Sequence, residues 1–145
     1  MQSFIEHYWG YLAYSLLVIV VAIFTYYGRS KYTKIYRDRK CMGRYWFKAF
    51  PTASKEEIRQ FLAMFVEAFG FSQKLRCQFE PGDSLIELYK AAQAGFRVDN
   101  YEFEMLFTGI EETYDIDAQP LCELIDDGMT LGELFSFVRC HAVRG

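Results

Sequence analysis

The chain is poor in histidine, the commonest general base of catalytic centres. Only two histidines occur in 145 residues, His7 and His141, at opposite ends. The four cysteines, Cys41, Cys77, Cys122 and Cys140, are widely spaced and form no C-x-x-C. No zinc site can be assembled from such spacings. Unpaired cysteines fit a reducing compartment, with Cys122 and Cys140 expected as small core residues. No stretch alternates with period two, so no strand is expected. Asp126-Asp127-Gly128 has neither the D-x-D-x-D-G spacing nor the closing Glu of a calcium loop, so no metal is expected.

Charge is also missing, from one place in particular. Between Glu6 and Arg29 no residue is charged, and residues 8–27 read YWGYLAYSLLVIVVAIFTYY. Twenty helical residues at about 1.5 Å each match a hydrocarbon layer of roughly 30 Å. Tyr8, Trp9 and Tyr11 at one end and Phe24, Tyr26 and Tyr27 at the other stand where interfacial aromatic belts belong. Nothing basic precedes this run and no small-x-small site succeeds it, which argues against a cleaved signal peptide. A retained single-pass anchor over 8–28 is expected.

Beyond the apolar run the chain is strongly polarised. Residues 29–52 hold eight basic residues against Asp38 alone, a net +7, whereas 53–145 hold 17 acids against 8 bases, a net −9. The positive-inside bias places the C-terminal part in the cytoplasm, at a bacterial inner membrane, with the N-terminus outside. Arg29, Lys31, Lys34, Arg37, Arg39 and Lys40 suit anionic headgroups better than nucleic acid, because they come directly after a membrane span. The expected organisation is a short outer tail (1–7), the anchor (8–28), a basic aromatic segment along or extending from the membrane (29–52), and an acidic helical domain (53–145).

Helix signals punctuate that domain. Ser54 with Glu57, Asp99 with Glu102, and Thr130 with Glu133 have capping-box spacing. Ile58, Phe61, Leu62, Phe65 and Phe69 recur at helical spacing until Gly70. A loop leads to a short helix with Leu85, Leu88, Tyr89 and Ala92. Phe103, Leu106, Phe107 and Ile110 face inward on the next. Pro120 suits the first turn of a brief helix, and Leu131, Leu134, Phe135 and Val138 line the last. The fold class is all-α: a bundle of four to five helices behind one membrane helix.

Gly-Asp-Ser-Leu at 82–85 raises the question of a working serine. A serine nucleophile needs a base within reach and a group to orient that base. Only His141 comes later in the chain, Val138 stands three residues before it, and no strand is available. A hydrolase is therefore not expected and no catalytic residue is assigned.

From Ser54 onward the order of helices resembles the acyl carrier protein family. The closest stretch is VDNYEFEMLFTGIEETYDID (98–117), which is similar to the carrier recognition helix; IEETY (110–114) fits its closing string. LCELIDDGMTLGELFSFV (121–138) resembles the family's end. In this register Asp99, Asn100 and Tyr101 occupy the attachment motif, and Asn100 stands where the serine bearing phosphopantetheine would be. A carboxamide has no hydroxyl to form the phosphodiester. A second register makes Asp83-Ser84-Leu85 the motif, with Ser84 holding the arm, but leaves a longer stretch to Val138 than the family uses. In the first register Ser84 is a first-turn residue beside a capping Asp83.

The resemblance implies a docking role for the acidic helix, here through Glu102, Glu104, Glu111, Glu112 and Asp115. Residues 98–133 hold eleven acids and no base. The expectation is a non-catalytic, carrier-like adaptor without cofactor, at the cytoplasmic face of the membrane. Its partner would be a basic protein, such as an enzyme of lipid or envelope metabolism. The alternative is a functional carrier with phosphopantetheine on Ser84.

Overall fold

The computed structural model describes residues 11–23, 34–92, 101–125 and 128–142, and every regular element among them is helical. Residues 11–23 form helix α1, and 34–37 make one further helical turn. Then come α2 (Gly43–Ala49), α3 (Lys55–Ala68), a 3-10 helix (Gln73–Gln78), α4 (Leu85–Ala92), α5 (Tyr101–Tyr114), α6 (Gln119–Leu124) and α7 (Leu131–Ala142).

Among the described residues no helix is long and apolar enough to cross a membrane. The described part of α1 spans about 20 Å at 1.5 Å per residue, against a layer of roughly 30 Å. The remainder of the expected 8–28 span, like Arg29 and Lys31, lies outside the described residues. Every residue of α1 is exposed, Leu16 at 66% and Ile19 at 56%.

Local signals set the helix ends. The Ser54 hydroxyl accepts from the Glu57 amide while the Glu57 carboxylate accepts from the Ser54 amide, a complete capping box. The Thr130 and Glu133 pair does the same ahead of α7. At the far end of α3, Gly70 sits at φ 65°, its amide donates to the Glu67 carbonyl, and Phe71 N donates to Val66 O. That is a Schellman termination, which requires the left-handed conformation glycine adopts without a Cβ clash. Pro120 stands in the first turn of α6.

Helix α3 packs on α5 and on the 3-10 helix, and α5 on α7. Phe61, Phe65, Phe79, Leu106, Ile110, Leu121, Leu131, Leu134 and Phe135 are all fully buried between them. The core also takes in part of the basic segment. Trp46 of α2 is 0% exposed, donates from Nε1 to the Phe79 carbonyl at 2.9 Å, and meets Phe135 edge-on at 5.5 Å. Tyr36 packs on Phe79 at 5.2 Å and on Phe71 at 6.4 Å. From residue 34 onward the segment therefore contributes to the bundle core, and packing begins before the 52/53 boundary expected from charge. The physical reason is the area that two large rings remove from water, which outweighs the charge of their neighbours.

Cysteine usage differs in one respect from the expectation. Cys140 is exposed, because two positions beyond Val138 lies the outward face of α7. The Cys122 side chain is outside the described set.

Candidate functional site

Helix α5 carries no basic residue, and its carboxylates divide by position. Glu102 lies four and eight residues before Leu106 and Ile110, on the same inward face, and is only 6% exposed. Its Oε2 is buried with no partner among the described residues. Glu102 therefore does not belong to an acidic docking surface, contrary to the sequence expectation. Glu104, Glu111, Glu112 and Asp115 are exposed. Glu111 is partly engaged, since its Oε1 accepts from the Ala118 amide at 3.3 Å and holds the chain as it turns toward α6. Asp115 ends α5 at φ 53°, a left-handed position that aspartate tolerates better than most residues.

No ion pair among the described residues involves α5. Its outer face therefore runs Tyr101, Glu104, Met105, Thr108, Glu112 at helical spacing, every one exposed. Tyr101 at 48% and Met105 at 38% are large apolar groups set among carboxylates. Such a face can lie in a groove through its apolar anchors while its charges choose a basic rim. The motif positions Asp99 and Asn100 lie outside the described residues, while Tyr101 opens α5.

Ser84 sits just before α4, in an isolated antiparallel bridge with Thr130. Leu85 N donates to Met129 O and Leu131 N to Asp83 O, both at 2.9 Å, and Gly132 N donates to Pro81 O at 2.8 Å. This knot of two segments starts α4 and α7 side by side. His141, ten residues along α7 from Leu131, stands about 15 Å away by helical rise. Its Nδ1 lies 2.8 Å from the Phe137 carbonyl oxygen, and its ring stacks on Phe137. The structure does not bring Ser84 and His141 together. Among the described residues there is also no group of three or more His, Cys, Asp or Glu able to hold a metal.

The knot has a charged pin. Asp83, 7% exposed, accepts from Arg39 Nη1 at 2.7 and 2.9 Å and from the Glu80 amide at 2.8 Å. Asp83 thus pairs with Arg39 instead of capping α4 with its side chain, and Arg39 is not free for lipid headgroups. Burial works against the Arg39 charge, but the bonds to Asp83 and the charges of Asp83 and Glu80 outweigh it and raise its pKa. The Arg39 guanidinium also lies 4.9 Å from the Tyr36 ring centre. Burial, with Asp83 next, pushes the Tyr36 phenol up to about 12. Lys34, Arg37 and Lys40 remain exposed.

No family model matches the chain, and no curated protein and no solved structure matches it either.

Proposed function

We propose that this protein is a membrane-attached, non-catalytic docking module whose α5 receives a basic partner protein. The observation that carries the reading is the outer face of α5: Glu104 and Glu112, in no ion pair among the described residues, beside exposed Tyr101 and Met105. Attachment through 8–28 is supported by the uncharged run and by the uncovered apolar side chains of α1. The charge step beyond it orients the bundle to the cytoplasmic side. The order of helices from α3 to α7 supports the carrier-like part of the reading.

Reversing Glu104 and Glu112 to lysine tests the reading in full-length protein extracted in mild detergent. Recovery of a basic partner should fall steeply and be salt-sensitive, while a Lys55→Glu control on α3 leaves it unchanged. Equal recovery with the reversed pair would remove α5 as the docking face. Intact mass after treatment with a phosphopantetheinyl transferase separates the carrier alternative: a gain of one arm, abolished by Ser84→Ala, establishes it.

A further inference from the structure

Two clefts stand out among the described residues. One, of about 460 Å³, lies between Tyr45, Lys48 and the Glu80–Gly82 turn, and its mixed charges favour no sign of ligand. The other, of about 410 Å³, is different. Phe69, Phe71 and Leu75 supply an apolar floor, Arg37 and Lys74 stand at it as cations, and no carboxylate lines it among the described residues. Phe69 and Phe71 are anchored in the core by the Schellman turn, while Arg37 and Lys74 are both exposed. Neither takes part in an ion pair among the described residues. Gln78 fixes the arrangement, donating from Nε2 to the Arg37 carbonyl at 3.0 Å and so holding the 34–37 turn against the 3-10 helix.

An apolar floor with cations alone above it selects an amphipathic anion, and the chain itself says which kind. Arg37 lies fourteen residues beyond the last described residue of α1, and Lys34 and Lys40 flank it with further exposed charge. We infer that this cleft holds one anionic phospholipid drawn from the adjoining leaflet, with its phosphate at Arg37 and Lys74 and an acyl chain along Phe69, Phe71 and Leu75. The inference rests on the membrane attachment proposed above and goes beyond it. The bundle would grip an individual lipid molecule, not merely hover over a charged surface.

Full-length protein reconstituted into nanodiscs of equal phosphatidylglycerol and phosphatidylcholine, then released into mild detergent for native mass spectrometry, tests this directly. The wild-type chain should keep one phosphatidylglycerol in clear preference to phosphatidylcholine. Arg37→Gln with Lys74→Gln should lower that retention roughly tenfold or more, since two phosphate contacts are lost. Leu75→Asn, which adds no charge, should lower it strongly through the floor alone. Arg44→Gln with Lys48→Gln, which removes the same charge elsewhere, should leave retention unchanged. Glycerol phosphate, a headgroup without chains, should not compete. Retention of both lipids alike, or of phosphatidylglycerol by the Arg37/Lys74 variant as by wild type, overturns the site. A chain that never enters nanodiscs overturns the attachment instead, so the two failures are distinct. Helical circular dichroism confirms that each variant is folded, and the Lys74→Gln single variant gives the same reading with only one exposed side chain changed.

Discussion

Replacing Arg39 by glutamine removes the one side-chain cation bonded to Asp83 among the described residues, and the structure fixes what that costs. The Asp83 side chain is 6% exposed and its charge is met by two short bonds from one guanidinium nitrogen and one from the Glu80 amide. With arginine gone the carboxylate keeps only the amide. Removing one partner of a buried ion pair costs about 3–5 kcal/mol, because the other charge stays desolvated. The Arg39 side chain is itself 25% exposed, so water can reach the vacated side, and the lower end applies: about 3 kcal/mol. In a bundle of this size that lowers Tm by roughly 10–20 °C. Asp83→Asn keeps the shape, keeps an acceptor for Glu80 N and leaves the more accessible arginine behind. It should cost only about 1 kcal/mol. The double variant should then lie well short of the sum of the two, the signature of a coupled pair. Thermal unfolding of the full chain in one detergent, tracked by near-ultraviolet circular dichroism of the buried aromatics, measures all three. An Arg39→Gln protein within about 0.5 kcal/mol of wild type would refute the reasoning.

Single contacts set further outcomes. A Cβ on Gly132 would lie 2.9 Å from both the Cβ and the carbonyl oxygen of Pro81, so Gly132→Ala should cost about 1–3 kcal/mol by denaturant unfolding. Gly109→Ala meets only the flexible Met64 side chain and should cost less. The Tyr114 hydroxyl is buried with no partner among the described residues, and burial, with Glu57 next, pushes its pKa up to about 12. Tyr114→Phe should therefore be neutral or stabilising by up to about 1 kcal/mol; a clear loss in the same assay would reveal a missed bond. Backbone and side-chain bonds with Ser54 hold the Glu57 carboxyl below the usual range, and Arg139 adds to this. A depressed folded pKa contributes stability present above the ordinary glutamate value and lost as pH falls through the folded one. Unfolding between pH 5 and pH 2 should thus show a steeper decline for wild type than for Glu57→Gln.

Much of the bundle is legible in the sequence because its instructions are local. Ser54 with Glu57, Gly70, Pro120, and Thr130 with Glu133 each act within one turn, and the apolar spacing in α3 and α7 names the buried residues correctly. The basic segment misleads because its contribution to the core rests on two separate rings, Tyr36 and Trp46, among cations, with no repeating pattern to mark an inward face. Asp83 reads as a cap because its partner is 44 residues away in sequence, beyond any local rule. Glu102 is different: its register with Leu106 and Ile110 is visible, and the charge of the residue obscures it. On α5 the exposed carboxylates can be read from spacing, but not that Glu111 is engaged with Ala118 or that Met105 is exposed beside Glu104.

Tyr36 and Trp46 also set a leash. With packed structure beginning at 34 and the described part of α1 running to 23, ten residues lie between them, and a chain covers at most about 3.5 Å per residue. Whatever path they take, residue 34 lies within roughly 40 Å of residue 23, so a partner of the proposed docking face would meet the bundle close to the proposed attachment. The same fact dictates where the protein can be cut. A fragment starting at 53, where the charge changes sign, would lose the indole that fills its centre and strand Asp83 without its cation. One starting ahead of 34 keeps both.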